Sequence, residues 1–252
     1  MIVAIHQPHY LPWLRYMHKL ASCDVFVLLD DVQYSKNGWQ NRNRIKGAQG
    51  PVFLTVPVRN ATFKRLNSVE IDHQTPWRDK HWKSLLTNYG RAPYFRQFGA
   101  LFERVLATRW DLLVPLNCDL VEGLCQAFGI RVSLVRSSSF GIAGQHTDRL
   151  VRICQRLGAD RYLTGAYAAD NHLDEQMFAA AGIAVVRQTW VCPTYNQQHP
   201  RAGFLPELSC VDLLLNEGPR SLGTLMARVG GPPSSDSENM FGRRKTTALS
   251  LS

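Results

Sequence analysis

The chain has few cysteines and no Cys-x-x-Cys pair; the six lie at positions 23, 118, 125, 154, 192 and 210. That pattern suits neither a disulfide scaffold nor a paired-thiolate metal site, and it predicts reduced, mostly buried thiols. Cys192, in Trp190-Val191-Cys192-Pro193-Thr194-Tyr195, is the first to test as a nucleophile. No His-x-x-x-His or His-Glu-x-x-His occurs, so no metal is expected. A Walker-type phosphate loop, Gly-x-Gly-x-x-Gly and Gly-x-Ser-x-Gly are also missing. No cofactor is called for. No apolar run approaches the roughly 18 residues that cross a bilayer. The start, Met-Ile-Val-Ala-Ile-His, lacks the basic and apolar regions of a secretory signal, so the expectation is a cytoplasmic protein with no membrane partner.

Acidic residues are the scarcer charge: 20 against 29 basic ones, for a net charge of +9. Of the cations 22 are arginine and 7 lysine. Arginine forks grip phosphate and carboxylate in a fixed geometry, so the balance points to an acidic partner. A nucleotide, an acyl carrier protein with its phosphopantetheine arm, a sugar nucleotide or RNA would qualify. With 45% hydrophobic and 19% charged residues, the chain is not of the disordered type. Its length allows one large domain or two small ones.

Residues 2–5 (IVAI) read as a buried strand that ends at His6-Gln7-Pro8. Pro12 suits a helix start, and Leu14, Met17, His18 and Ala21 recur at helical spacing. A second apolar run, residues 25–29, ends at Asp30-Asp31. Strand, helix, strand implies two parallel strands whose carboxyl ends share one rim, where open sheets bind ligands. Residues 35–50, rich in Gly, Asn and cations, read as a long surface loop, and loops of that length usually serve a site. Residues 51–58 and 66–71 read as strands. From 77 to 128 the period shifts to that of helices, three in number, broken near Gly90–Pro93 and Thr108–Asp111. Strands at 131–135, 160–164 and 183–187 then alternate with helices at 146–157 and 172–181, and a short helix covers 208–215. The pattern predicts a mostly parallel, Rossmann-like α/β sheet with an inserted helical segment at about 77–128. It forms one domain over 1–228. A Gly/Pro/Ser-rich tail, 229–252, is expected to be flexible.

Chemistry is expected at the shared rim. His6 can exchange protons near neutral pH, and Asp30 on the next strand end is placed to orient it. Gln7, Tyr10, Gln33 and Tyr34 join them as substrate-binding candidates. If extended, Asn41–Lys46 puts Arg42, Arg44 and Lys46 on one side to hold a phosphate, and Asn41 and Asn43 on the other to hold sugar hydroxyls. Trp39 is a candidate lid aromatic. Tyr195 and Gln197 are polar groups that can orient a substrate. Asp170 and Asp174 suit the first turn of a helix.

Several ordered blocks carry a resemblance: His6-Gln-Pro-His-Tyr-Leu-Pro-Trp13, Asp30-Asp-Val-Gln-Tyr34, Trp39-Gln-Asn-Arg-Asn-Arg-Ile-Lys46 and Leu54-Thr-Val-Pro57. Later come Tyr162-Leu-Thr-Gly165, Leu173-Asp-Glu175, Pro193-Thr-Tyr-Asn-Gln197, Leu208-Ser-Cys-Val-Asp212 and Asn216-Glu-Gly218. Together they resemble the WbqC-like family over roughly residues 2–220. The resemblance implies a transferase associated with bacterial surface-polysaccharide loci, with glycyl or other aminoacyl transfer to a sugar amine as the suggested reaction. One departure is Arg15, where the family usually has glycine. It either fills the space beside the helix start or adds a fork for an anion.

The leading expectation is therefore a transferase that moves a small activated acyl or aminoacyl group onto an amine acceptor, in surface-polysaccharide or natural-product biosynthesis. His6 is the base, Asp30 orients it, and the basic row grips the phosphate of a donor such as a carrier-protein thioester, an acyl phosphate or an aminoacyl-tRNA. The alternatives are a nucleotidyl-transfer or ATP-dependent ligase enzyme on the same fold, and a non-catalytic module that binds RNA or a carrier protein.

Overall fold

A computed structural model describes residues 1–165 and 173–227. In chain order the main elements begin with β1 (Ile2–His6), α1 (Leu14–Ala21) and β2 (Val25–Leu28). Two hairpins follow, β3 (Arg42–Gly47) with β4 (Gly50–Thr55), and β5 (Val58–Arg59) with β6 (Glu70–Ile71). Three helices come next: α2 (Trp77–Tyr89), α3 (Phe95–Ala107) and α4 (Leu113–Phe128). The chain then returns to the sheet through β7 (Ser133–Arg136), α5 (His146–Leu157), β8 (Arg161–Gly165), α6 (Glu175–Ala180) and β9 (Ala184–Gln188). Helices α7 (Cys210–Glu217) and α8 (Ser221–Met226) close the described part.

The central sheet has five strands in the order β7-β2-β1-β8-β9, and every pairing in it is parallel. This is the expected Rossmann-like arrangement. β1 is buried on both faces, as a central parallel strand should be. Val3 and Ile5 pack into one layer with Val151, Ile153 and Phe178, while Ala4 faces the layer that contains α1 and α4.

The three helices fall where their period predicts, but the insertion is larger than the helical segment. Everything from 29 to 132 lies between β2 and its neighbour β7. The segment expected as a loop, 35–50, is a loop only to Asn41. Arg42–Gly47 is a strand, paired antiparallel with Gly50–Thr55 from Arg42↔Thr55 to Gly47↔Gly50. Its polar letters hide this because they are not solvated. The Asn41 amide donates to the Val56 carbonyl, and the Asn43 amide donates to the Leu11 carbonyl. The stretch 51–58 divides into the end of β4 and the start of β5, and 66–71 is a 3-10 turn followed by two strand residues. Asp174 caps α6, its side chain accepting from the amides of Gln176 and Met177. Asp170, the expected start of that helix at 172 and the tail 229–252 lie outside the described residues.

The Asn216-Glu217-Gly218 block has a backbone reason. Gly218 ends α7 at φ 55° and ψ −125°, a region that side chains disfavour. A Cβ there would stand 2.3 Å from Cγ of Tyr94. Gly218→Ala is therefore expected to cost about 3 kcal/mol through strain and overpacking combined. Urea denaturation at constant m-value measures it, and a loss below about 1 kcal/mol would contradict this reading.

Candidate functional site

The strand order places a crevice. From β1 the chain moves outward through β2 to β7, then crosses to β8 on the other side of β1. The order reverses between β1 and β8, and ligands of open parallel sheets bind beyond the carboxyl ends at such a point. His6 ends β1 there and Gly165 ends β8. Both are partly exposed, as are Gln7 and Trp13.

His6 Nδ1 lies 3.2 Å from the Gln7 carbonyl oxygen. A carbonyl only accepts, so Nδ1 carries the proton and Nε2 is left as the basic nitrogen. Burial first, then the Lys19 ammonium, pushes the His6 imidazole down to about 3, against a smaller upward pull from the Gln7 carbonyl. The ring is thus neutral at pH 7. His9 packs edge-on against it, with centroids 4.7 Å apart. Burial, then His6 and Lys19, holds His9 well below the ordinary range. Its buried Nδ1 has no hydrogen-bond partner among the described residues.

The walls are aromatic. Trp13 lies 5.1 Å from His9 and Trp39 lies 5.1 Å from Trp13, centroid to centroid. Phe53 stacks on Trp39 at 6.4 Å, and the Arg42 guanidinium sits 6.0 Å over Phe53. An aromatic row thus leads from the histidines to an arginine on β3. The loop that carries Trp39 is tied to the rim by Gln40, whose amide donates to Gln7 Oε1 at 2.8 Å.

The expected residues divide into three groups. His6 and Gln7 adjoin at the end of β1, and Trp39 is joined to them through Trp13 and His9 and through the Gln40–Gln7 bond, with Arg42 at the end of the aromatic row. Asp30 does not join them. Its carboxylate accepts from the Ser137 hydroxyl and from the amide and hydroxyl of Ser138, at 2.8–3.1 Å, so it fastens β2 to the turn after β7. Asp31 is held by Ser137 and Arg149. Tyr10 is buried and bonded to His81 Nδ1 at 2.8 Å, Gln33 is exposed on a bridge to Arg65, and Tyr34 is buried. Asn41 and Asn43 bind main chain, as above, and Arg44 is half-buried on the Arg42 side of β3.

Lys46, Tyr195 and Gln197 form a third group elsewhere, around a carboxylate the sequence reading passed over. Asp212 accepts from the hydroxyls of Tyr89 and Tyr195, each at 2.8 Å. Gln197 donates to the Tyr195 hydroxyl and accepts from the Lys46 ammonium, which also donates to the Gly203 carbonyl. Lys46 is thus committed to the protein.

Arg15 pairs with Glu207 at 3.1 Å and lies 5.4 Å over Trp190. Of the two roles open to it, filling space is the one its contacts serve. Burial pushes the Cys192 thiol up to about 11, which keeps it protonated and a poor nucleophile. Among the described residues no group of three His, Cys, Asp or Glu side chains is placed to hold a metal ion. None of the described helices is long and apolar enough to cross a membrane.

Sequence reasoning missed Lys19 and did not single out His9. The signal for His9 was present, since it stands three residues after His6 in the same rim loop. Lys19 gave none, because a lysine in a helix is usually solvated.

Fold and rim together define an open parallel α/β protein with its candidate site at the strand-order reversal. The chain belongs to the WbqC-like protein family, whose model matches residues 7–224. It is 34% identical over 221 residues to the uncharacterized protein Rv1507c of Mycobacterium tuberculosis (strain ATCC 25618 / H37Rv), covering 86% of this chain and 94% of that one. No solved structure matches it.

Proposed function

We propose that the protein transfers a small activated acyl or aminoacyl group onto an amine acceptor, with His6 as the general base. The observation that carries this reading is the His6 ring itself: neutral, held in one tautomer by the Gln7 carbonyl, and partly open at the β1/β8 crevice. Amide formation needs a proton acceptor beside the attacking nitrogen, and a neutral imidazole with an unprotonated Nε2 is one. The acceptor nitrogen bonds to the donor's carbonyl carbon and His6 Nε2 takes the proton that the nitrogen sheds. The bond from that carbon to the leaving group breaks, and the leaving group keeps the electron pair. Gln7 orients His6 in place of Asp30. The aromatic walls exclude water, which would otherwise hydrolyse the donor. Arg42 at the end of the row meets the anionic part of the donor or of its carrier, and the net charge of +9 favours that encounter. Surface-polysaccharide or natural-product assembly is the setting that such chemistry fits.

The test uses purified protein with acyl thioesters, acyl phosphates or aminoacyl-tRNA as donors and amino sugars as acceptors, with products read by mass spectrometry. Wild type is expected to give an amide. His6→Ala is expected to lose at least about 100-fold in turnover while its circular dichroism is unchanged. Full activity in that variant would refute the assigned base. Pyrophosphate release from ATP without an acyl donor would favour a nucleotidyl-transfer enzyme instead.

A further inference from the structure

Lys19 sits in the last turn of α1, with only 7% of its surface exposed. Its ammonium reaches the crevice, 3.6 Å from where a Cβ on Gly165 would stand. No carboxylate pairs with it, and no hydrogen bond satisfies it, among the described residues. Among the described residues, the ionisable groups whose charge couples to it are His6, His9, Arg15 and Cys23, none of them an acid that is ionised at pH 7. The stem of Lys19 is buried while Nζ is not sealed from solvent, so the ammonium is accessible to an anion from the crevice side. The buried Nδ1 of His9 is a second polar atom without a partner in the same place. α1 begins beside these rings, at Leu14, and no side chain caps its N-terminus. An ammonium, an unsatisfied imidazole and an uncapped helix start on one rim share a single complementary ligand, an anion with several oxygens.

We propose that Lys19, His9 and the N-terminus of α1 form a phosphate-binding subsite at the β1/β8 crevice, which receives a phosphate group of the substrate. This deepens the transfer reading by naming a group that the donor carries. It also links binding to chemistry. After burial, the Lys19 ammonium is the next cause that weakens the His6 imidazole as a base. A phosphate on Lys19 offsets that repulsion, so His6 gains basicity when the donor is seated.

Calorimetry at pH 7 with inorganic phosphate, pyrophosphate and acetate tests the subsite on wild type, Lys19→Met and Lys19→Arg. Lys19→Met keeps the apolar stem and removes an unpaired charge, so it is expected to fold with an equal or higher Tm. Wild type is expected to bind phosphate or pyrophosphate, Lys19→Met to bind it at least about tenfold more weakly, and Lys19→Arg to retain most of the affinity. A second readout is the His6 ring by NMR at pH 7, whose imidazole signals should shift on addition of phosphate for wild type and stay fixed for Lys19→Met. Absence of phosphate binding, affinity unchanged in Lys19→Met, or acetate bound as tightly as phosphate would each overturn the proposal. The two readings fail separately. A His6 variant that binds phosphate without turnover leaves the subsite standing, and loss of the subsite leaves the His6 assignment to be judged by turnover.

Discussion

Asp212→Ala is expected to cost about 3–5 kcal/mol, enough to unfold a large share of a marginally stable chain. Asp212 is wholly buried on α7. Burial pushes its carboxyl above the usual range, while the Tyr195 and Tyr89 hydroxyls and the Lys46 ammonium pull the other way. Truncation leaves two buried hydroxyls without an acceptor and the buried Lys46 without its nearest counter-charge. The damage is not confined to that cluster. Tyr89 also accepts the Lys46 main-chain N–H at 2.8 Å, so β3 is pinned through it. The residues just before Asp212 hold the wall of the crevice: the Ser209 amide donates to the Arg44 carbonyl and the Cys210 amide to the Pro12 carbonyl. Asp212→Asn keeps the shape and loses the charge, and it is expected to cost less, about 1–3 kcal/mol. Chemical denaturation of the two variants separates packing from charge. A loss under about 1 kcal/mol for Asp212→Ala would show that the cluster is dispensable.

Mild acid should unfold the protein well above the pH at which carboxylates titrate. His9 and His81 are buried and neutral, and His6 is neutral at the rim. Burial lowers the His81 imidazole to about 4, against a smaller upward pull from the Thr55 main chain. In the unfolded chain each imidazole has its ordinary value near 6.5. Between the two values the unfolded chain takes up a proton that the native state refuses. Stability is therefore complete above about pH 6.5 and declines as pH falls below it. His81 contributes on the order of 3 kcal/mol to that decline, a large share of the stability of a typical domain, and His9 acts in the same direction. Circular dichroism and tryptophan fluorescence are expected to show a cooperative transition centred near pH 5. A chain still folded at pH 4 with the Tm it has at pH 7 would contradict the burial of these rings.

The sheet was legible because parallel strands buried on both faces announce themselves as short apolar runs, and five such runs alternate with helical periods. The hairpin at Arg42–Thr55 was not, since its buried face is built from asparagine side chains bonded to main chain, which polarity alone reads as surface. The rim loop was legible through His6 and Gln7, because local order places whatever follows β1 beyond its carboxyl end. Partners across the rim were not. Asp30 stands one strand away from His6 in sequence logic, yet the serines after β7 claim its carboxylate, and β7 joins the sheet only after a hundred residues of insertion. Tyr195 and Gln197 read as site residues because their types can bind ligands; their partner Asp212 lies on a later helix that only the tertiary fold brings to them. Lys19 is the sharpest case, an ordinary helical lysine by sequence whose stem happens to run under the crevice.

A crystal structure of the wild-type protein with the tightest-binding phosphate donor tests the central claim most directly. The donor's phosphate is expected within hydrogen-bond distance of Lys19 Nζ, with its carbonyl carbon facing His6 Nε2 and its body against Trp13 and Trp39. A donor seated instead in the open hollow of about 400 Å³ lined by Thr194, Asn196, Glu217 and Arg220, with the β1/β8 crevice empty, would contradict it.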